Sequence, residues 1–321
     1  MTQRLFSVIV LLALMLTSCR AESYTMRSQS YYDLFDTLCT FQTYDLTEEE
    51  FTRISNGLYD QLLAFHEEVD IYASHEGVTN LYDLNQAAGG DALPISPSLM
   101  TFLQFCQEAE TLSLHRVNVM IGSVSSLWKT AIEESRLPDA DALRAAAEHT
   151  DIHSLVLNEE AGSAQITDPQ ASIDVGALAK GYAARLAKEY LKAQGVENYL
   201  LDLGGNVYAH GQPLGTGRTS FTIGLQEPDA PDGTYYTTCQ VQNEAIVSSG
   251  DYQRYTMIDG VRYHHIVDPD TLYPGTLHRA STIIHEDPAI ADMLSTATFL
   301  LPTEEGEALA NSLHATVIYY D

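Results

Sequence analysis

Three oxygen-bearing side chains lie close together near the C-terminal end of this 321-residue chain: Asp292, Ser295 and Thr296. The preceding Asp287-Pro288 pair predicts a helix start, and residues three and four positions apart share one helix face. Hard oxygen donors suit Mg²⁺, which takes one or two protein carboxylates and completes its shell with phosphate oxygens and water. The alternative is a solvated helix face whose hydroxyls bond back to helix carbonyls.

A second pattern is the stretch from Asp174 to Tyr182, where a strand-like run gives way to a helix-like run. Apolar residues at helical spacing, followed by Gly195, predict a helix over about 177–193, with Lys180 in its first turn. At a helix N-terminus the backbone N–H groups are unpaired and the dipole is positive. The junction is therefore predicted to bind an anion, typically a phosphate.

Two adjacent histidines, His264 and His265, end a predicted strand just before Asp268-Pro269. Neighbouring residues on a strand point to opposite faces, so the pair is not expected to bind one metal together. One imidazole then points inward, either as a general base or as a buried, hydrogen-bonded structural histidine. The segment Ser248–Tyr255, with a permissive Gly250, is by itself only a turn followed by a strand.

Hydrophobic periodicity gives the elements that must position these groups. It predicts helices at 47–72, 96–112, 139–149 and 177–193 and from 287, and a hairpin of 153–157 with 164–167. Further strands are predicted at 33–44, 199–202, 207–209, 220–224, 235–242, 254–258 and 261–266. Strands that come as neighbouring hairpins with helices between them predict an α+β fold, with mixed or antiparallel sheet in a single domain over residues 31–321.

The chain is strongly acidic, with 44 Asp and Glu against 16 Lys and Arg and a net charge of −28. Such a protein repels nucleic acid phosphates and anionic lipid surfaces, so general binding to either class is not expected. An anionic ligand would need a local cation, a helix N-terminus or a bound metal.

The first residues are predicted to be a targeting segment. Arg4 precedes an apolar run, 6–16, that is too short to span a bilayer. The run ends in Leu16-Thr17-Ser18-Cys19, which resembles the bacterial lipoprotein processing box. Residues 1–19 are then a lipoprotein signal peptide and 20–30 a flexible tether. The protein is expected outside the cytoplasm in the bacterial cell envelope, anchored to the membrane by lipid on Cys19. The alternative is an ordinary cleaved signal peptide with an incidental cysteine.

Several segments in this order resemble one family, the FAD:protein FMN transferases of ApbE type. The resemblance covers about residue 35 to the C-terminus and rests on five blocks: Ile173-Asp174-Val175-Gly176-Ala177-Leu178-Ala179-Lys180-Gly181-Tyr182, Leu201-Asp202-Leu203-Gly204-Gly205-Asn206, Ser249-Gly250-Asp251-Tyr252, His265-Ile266-Val267-Asp268-Pro269, and Ala291-Asp292-Met293-Leu294-Ser295-Thr296-Ala297. The resemblance implies cleavage of the FAD pyrophosphate. It also implies transfer of the FMN half to a Thr or Ser hydroxyl of an extracytoplasmic redox protein, with release of AMP and with magnesium at the pyrophosphate.

The resemblance also implies roles for individual residues. Magnesium would be held by the carbonyl of Ala177 and the side chains of Asp292, Ser295 and Thr296, and His265 would lie by the reacting phosphate as the catalytic residue. The residues implied in FAD binding, besides His265, are Phe35, Tyr72, Arg116, Val117, Asn118, Asp174, Lys180 and Asp251.

Three positions depart from the family pattern. Phe35 begins Phe35-Asp36-Thr37 where many relatives have Met-Gly-Thr, and Asn118 replaces an acidic residue. Leu272 replaces a glycine in the loop after His265, and a leucine disfavours positive φ, so a different loop geometry is expected there.

The same site residues are also compatible with two other functions. Water could replace the acceptor hydroxyl, which would make the protein an FAD pyrophosphatase that yields FMN and AMP. A lipoprotein that binds FAD without any chemistry is the third interpretation. The presence of Asp292 and Thr296 favours catalysis over binding alone.

Overall fold

The computed structural model describes residues 24–231 and 233–321. The predicted signal peptide and Cys19 lie outside these residues. No helix within the described part is long and apolar enough to cross a membrane.

A seven-stranded sheet forms the centre of the molecule, and every neighbouring pair in it is antiparallel. From one edge of the sheet to the other, its strands are Arg27–Leu34 (β1), Thr37–Thr43 (β2), Tyr199–Leu203 (β6), Asn206–His210 (β7), Glu244–Gly250 (β10), Ala280–His285 (β13) and Thr316–Tyr320 (β14). With the helices below, this confirms the predicted α+β class.

Four of the described helices pack on one face of this sheet. They are Glu48–Val69 (α1), Ala179–Ala193 (α6), Pro288–Leu300 (α7) and Thr303–Ser312 (α8). Four further helices pack on other helices and on the smaller sheets: Leu81–Gln86 (α2), Pro97–Leu112 (α3), Gly122–Glu134 (α4) and Ala140–Ala147 (α5). Helix α7 lies on β10 and β13 and packs along α6, and α6 in turn packs on α1. Asp287 caps α7 as predicted, through a hydrogen bond from the Ala289 N–H at 2.9 Å.

The other face of the sheet is covered by a hairpin. This is β8 (Phe221–Gln226) with β9 (Tyr235–Val241), and its apolar residues join those of β7 and β10 in a second, smaller core. The remaining strands form a three-stranded sheet of β3 (Leu93–Pro94), β5 (Ser163–Ile166) and β4 (Leu155–Asn158), and a hairpin of β11 (Tyr255–Ile258) with β12 (Val261–His264).

The predicted strand at 33–44 is confirmed over Thr37–Thr43 as β2. Its start is wrong, because residues 33–36 belong to the end of β1 and to the turn of a β1–β2 hairpin. This two-residue turn is Phe35-Asp36, with φ of 53° and 52°, the left-handed pair that a type I′ turn requires. The predicted tether is also too long at its C-terminal end, since residues 27–30 belong to β1. Helices α2, α4 and α8 and strands β3, β10, β13 and β14 were not predicted.

Candidate active site

A cavity of about 580 Å³ lies where the start of α6, the middle of α7, the end of β10 and the inner side of α4 meet. It brings together ten of the site residues named from the sequence: Tyr72, Arg116, Val117, Asn118, Asp174, Ala177, Lys180, His265, Asp292 and Thr296. Phe35, Asp251 and Ser295 are not part of its lining.

The start of α6 and the carboxylate of Asp292 are in direct contact. The Gly181 N–H donates to Asp292 Oδ2 at 2.7 Å, and a Cβ on Gly181 would lie 2.3 Å from Asp292 Cβ and 2.6 Å from the Pro288 carbonyl oxygen. Only glycine allows this approach. The Ala179 N–H is also used, by the Val175 carbonyl at 2.9 Å. These two N–H groups are therefore not free for an anion.

Burial disfavours the ionised form of the Asp292 carboxylate. The side chain is 5% exposed, and burial raises its pKa to about 6, against the opposing effects of the Lys180 charge and the Gly181 N–H. In the described part of the chain, Lys180 forms neither an ion pair nor a hydrogen bond. The cavity thus holds an ammonium group available to an anionic ligand, beside a carboxylate that a cation would stabilise.

Hydroxyl groups from β10 and α7 meet beside Asp292. Ser249 Oγ lies 2.8 Å from Ser295 Oγ and 3.3 Å from Thr296 Oγ1, and Ser295 Oγ donates to the Asp292 carbonyl at 2.9 Å. Ser295 is fully buried, so its hydroxyl lies behind the cavity wall. Ser249 lines the cavity in its place, which corrects the choice of Ser295 as a residue that reaches the ligand.

The donor set suits a hard divalent cation that shares its shell with a ligand. Residues 24–231 and 233–321 contain no cluster of three or more His, Cys, Asp or Glu side chains of the kind that encloses a metal. The cavity instead offers the Asp292 carboxylate, the Thr296 hydroxyl and the backbone at Ala177. A single carboxylate with neutral oxygens fits Mg²⁺ bound jointly by protein, phosphate and water.

The two histidines separate as predicted, one buried and one in the cavity. His264 is 3% exposed, with Nε2 2.7 Å from the Gly275 carbonyl and Nδ1 accepting from the Ile266 N–H at 3.2 Å. His265 lines the cavity, and its Nδ1 lies 3.3 Å from the Arg254 carbonyl. A carbonyl can only accept, so Nδ1 carries the proton and Nε2 has its lone pair available.

Asp174 is held rigidly at the cavity wall. Its Oδ2 accepts from Ser125 Oγ at 2.6 Å and its Oδ1 from the Gly176 N–H at 2.9 Å. Ser125 lies on α4, so a helix absent from the sequence-based prediction orients the carboxylate. The helix was detectable, because Ile121, Val124, Trp128 and Ala131 recur at helical spacing.

Tyr72 lies at the cavity mouth with its side chain 60% exposed. Lys129 Nζ is 4.0 Å from the centre of the Tyr72 ring, a cation–π contact with one ring face. A planar ligand that stacks on this ring therefore uses the opposite face or displaces Lys129.

Most side-chain polar groups of the Arg116-Val117-Asn118 segment already have partners within the protein. Arg116 pairs with Asp268 at 3.1 Å and with Asp270 at 2.5 Å, although its buried Nε has no partner among the described residues. Asn118 is bound on both sides, because Nδ2 donates to the Thr150 carbonyl at 2.7 Å and Oδ1 accepts from the Met120 N–H at 2.8 Å. These two bonds fix the orientation of the Asn118 carboxamide at the cavity wall.

Two residues predicted to bind the cofactor have structural roles instead. Asp251 accepts from Arg262 at 3.0 Å and from Arg279 at 2.9 Å, and both arginines also bind Asp229. Phe35 packs against Phe65, at 6.2 Å between ring centres, and against the edge of the His66 ring. Asp251 therefore fixes the end of β10, and Phe35 fixes the first hairpin.

The expectation that Leu272 would avoid a positive φ is wrong, since this leucine adopts a left-handed φ of 64°. Trp128 Nε1 donates to the Leu272 carbonyl at 2.7 Å, and the leucine side chain packs against the Trp128 cluster. These contacts hold a conformation that costs a leucine free energy.

Cations are concentrated at this cavity in an otherwise acidic chain. Arg116, Lys129, Lys180 and Arg254 all line it. Side-chain cations gathered in one cavity favour a ligand that carries negative charge. The chain is a member of the ApbE family, whose model matches residues 35–319.

Individual relatives agree with this membership. A FAD:protein FMN transferase of Klebsiella pneumoniae is 32% identical over 238 residues, covering 74% of this chain and 73% of the relative. One of Treponema pallidum is 27% identical over 285 residues, covering 85% and 78%. In fold, the chain resembles the ApbE protein of Thermotoga maritima, with a TM-score of 0.81 and 22% identity over 92% of this chain and 94% of that one. It also resembles the flavin transferase ApbE of Vibrio cholerae, with a TM-score of 0.77 and 21% identity over 92% and 93%.

The environment of His265 predicts a pH-dependent stability. Desolvation by the surrounding cavity walls lowers the pKa of His265 from 6.5 to about 4, although the side chain is still exposed to solvent through the cavity, and the neighbouring His264 adds to the shift. Between these values the unfolded chain binds a proton that the folded protein does not, so stability falls as the pH is lowered from 6.5 towards 4. His265→Gln removes this contribution. Urea unfolding from pH 4.5 to 7 measures the free energy of unfolding of both proteins. As the pH falls, the stability of the variant should rise relative to that of the native protein. A difference in stability that does not change with pH would contradict the assignment.

Proposed function

We propose that this protein transfers the FMN part of FAD to a Thr or Ser hydroxyl of a target protein, in a magnesium-dependent reaction that releases AMP. The observation that carries the proposal is the presence of a neutral imidazole, an unpaired ammonium and a buried carboxylate in one cavity: His265, Lys180 and Asp292. The activity in the names of the Klebsiella and Treponema relatives supports it.

The reaction joins the acceptor oxygen to the FMN phosphorus and breaks the bond between that phosphorus and the oxygen bridging to AMP. The hydroxyl proton moves to Nε2 of His265, which is the free acceptor while Nδ1–H is held by the Arg254 carbonyl. Since His265 is neutral at physiological pH, it is ready to act as this base. Phosphoryl transfer depends mainly on positioning and charge neutralisation, and the other residues supply both.

Charge at the pyrophosphate is balanced by two groups. Lys180 provides a fixed positive charge next to the metal-binding carboxylate. Magnesium, held by Asp292, Thr296 and the Ala177 carbonyl, would neutralise charge on the pyrophosphate and on the departing AMP. Because burial raises the pKa of Asp292, a bound cation also stabilises the ionised form of this side chain.

The nucleotide is placed along the cavity wall. Tyr72 offers an exposed ring face for the flavin, and Asp174 is fixed as an acceptor for hydroxyl or N–H groups of the cofactor. Arg116, whose buried Nε has no partner among the described residues, is a further donor of this region.

The protein is further proposed to act at the outer side of a bacterial membrane, on an extracytoplasmic redox protein. The support is the sequence Leu16-Thr17-Ser18-Cys19 after an apolar run. Expression in a bacterial host with radiolabelled palmitate should label the native chain and not Cys19→Ser. Equal labelling of both proteins would contradict lipid attachment at Cys19 and would leave the proposed catalytic activity unaffected.

Transfer is tested by incubating residues 21–321 with FAD, Mg²⁺ and a peptide that carries a Thr acceptor. Mass spectrometry should show the peptide gaining one FMN phosphoryl unit, with one AMP released per labelled peptide. Asp292→Asn keeps the shape and removes the charge, so its rate at limiting Mg²⁺ should drop by about 100-fold, as for loss of one key electrostatic group.

The outcomes separate the alternatives. FMN and AMP without peptide labelling would show a pyrophosphatase, and unchanged FAD would show binding alone. Glu305→Gln is the matched control, because it removes an exposed carboxylate on α8, outside the cavity. If Asp292→Asn kept the native rate at limiting Mg²⁺, Asp292 would not be a metal ligand.

A further inference from the structure

The side chain of Asn206 is a buried polar group of the cavity that has no hydrogen-bond partner. The residue is 4% exposed, it lines the cavity, and its Oδ1 contacts no donor in the described part of the chain. Buried carboxamide oxygens are almost always bonded, since an unmet acceptor costs free energy. The missing partner is therefore expected from a bound ligand.

The sheet register places Asn206 on the face that carries the oxygen donors. Asn206 pairs with Val247 on β10, and residues directly opposite in a sheet project to the same face. Ser249, two residues further along β10, shares that face. Its hydroxyl contacts Ser295 and Thr296 on α7, so Asn206 lies on the α7 side of the sheet.

This wall of the cavity contains many acceptors. Its side-chain groups are the Asn206 carboxamide, the Ser249 and Thr296 hydroxyls and the Asp292 carboxylate. Ser249, Ser295 and Thr296 form hydrogen bonds with one another, and none lies within hydrogen-bond distance of Asn206. A carboxamide oxygen among hard oxygen donors is a usual ligand of a hard divalent cation, either directly or through a bound water.

We propose that Asn206 Oδ1 completes the divalent-cation site from the sheet side, opposite Asp292 and Thr296 on α7. The proposal rests on the proposed function for the presence of a cation at this cavity. It makes Asn206 a residue that holds the cation or one of its waters, and it assigns no proton transfer to it.

The experiment measures cation binding without turnover. Free Mn²⁺, which takes oxygen ligands similar to those of Mg²⁺, is titrated with the protein in the absence of FAD and followed by electron paramagnetic resonance. Asn206→Leu has nearly the same size and lacks the oxygen, so its Mn²⁺ affinity should fall by about tenfold, as for loss of an outer ligand partner. Asn206→Asp adds a charge at the same place and should bind Mn²⁺ more tightly than the native protein.

Tyr319→Phe is the matched control. It also removes a buried polar atom without a partner, but one that lies outside the cavity, and its Mn²⁺ affinity should stay native. FAD affinity in EDTA, measured by flavin fluorescence, distinguishes a cation ligand from a nucleotide contact.

Unchanged Mn²⁺ affinity in Asn206→Leu would overturn the proposal, as would a loss confined to FAD binding in EDTA. If Asn206→Leu fails to fold, the Asp variant decides, because weaker or equal Mn²⁺ binding there contradicts a ligand role. A native protein that binds Mn²⁺ but does not label the peptide would refute FMN transfer and leave the Asn206 comparison valid. A native protein that binds no Mn²⁺ would overturn the Asn206 proposal.

Discussion

The contact between the Gly181 N–H and the Asp292 carboxylate holds the two halves of the site together. It joins the first turn of α6 to the middle of α7, at a separation that a Cβ on Gly181 would forbid. Lys180 is carried on one side of the contact and Thr296 on the other. Both helices pack on the antiparallel sheet, which fixes their positions. Strand β10 of this sheet brings Ser249 into contact with α7.

This contact also explains how an acidic protein can hold an anionic cofactor. One N–H group of the helix N-terminus is already taken, since Asp292 accepts from Gly181. Side-chain cations collected at the cavity attract an anionic ligand, and we propose that a cation bound at the buried carboxylate adds to this attraction. The positive end of α6 mainly stabilises the ionised form of Asp292.

Sequence alone predicted the fold class and named ten residues that the fold brings together in one cavity. Physical reasons explain both these successes and the failures. Long amphipathic segments such as α1 and α6 show their period clearly, and the capped start of α7 at Asp287-Pro288 is unambiguous. Strands β10 and β13 are buried within the sheet and lack the alternation of a half-exposed strand. The roles of Ser249, Ser295 and Asp251 depend on tertiary contacts across the sheet, which no local pattern contains.

The most direct test of this account is the FMN transfer rate of Gly181→Ala. One added methyl group must separate α6 from α7, so the account predicts a loss of about 100-fold at saturating FAD and Mg²⁺, with native far-UV circular dichroism. Gly90→Ala is the control, because this residue lies outside the cavity lining and its Cβ would meet only the Ala87 backbone, with the carbonyl oxygen at 3.0 Å. A folded Gly181→Ala protein with the native transfer rate would contradict the account.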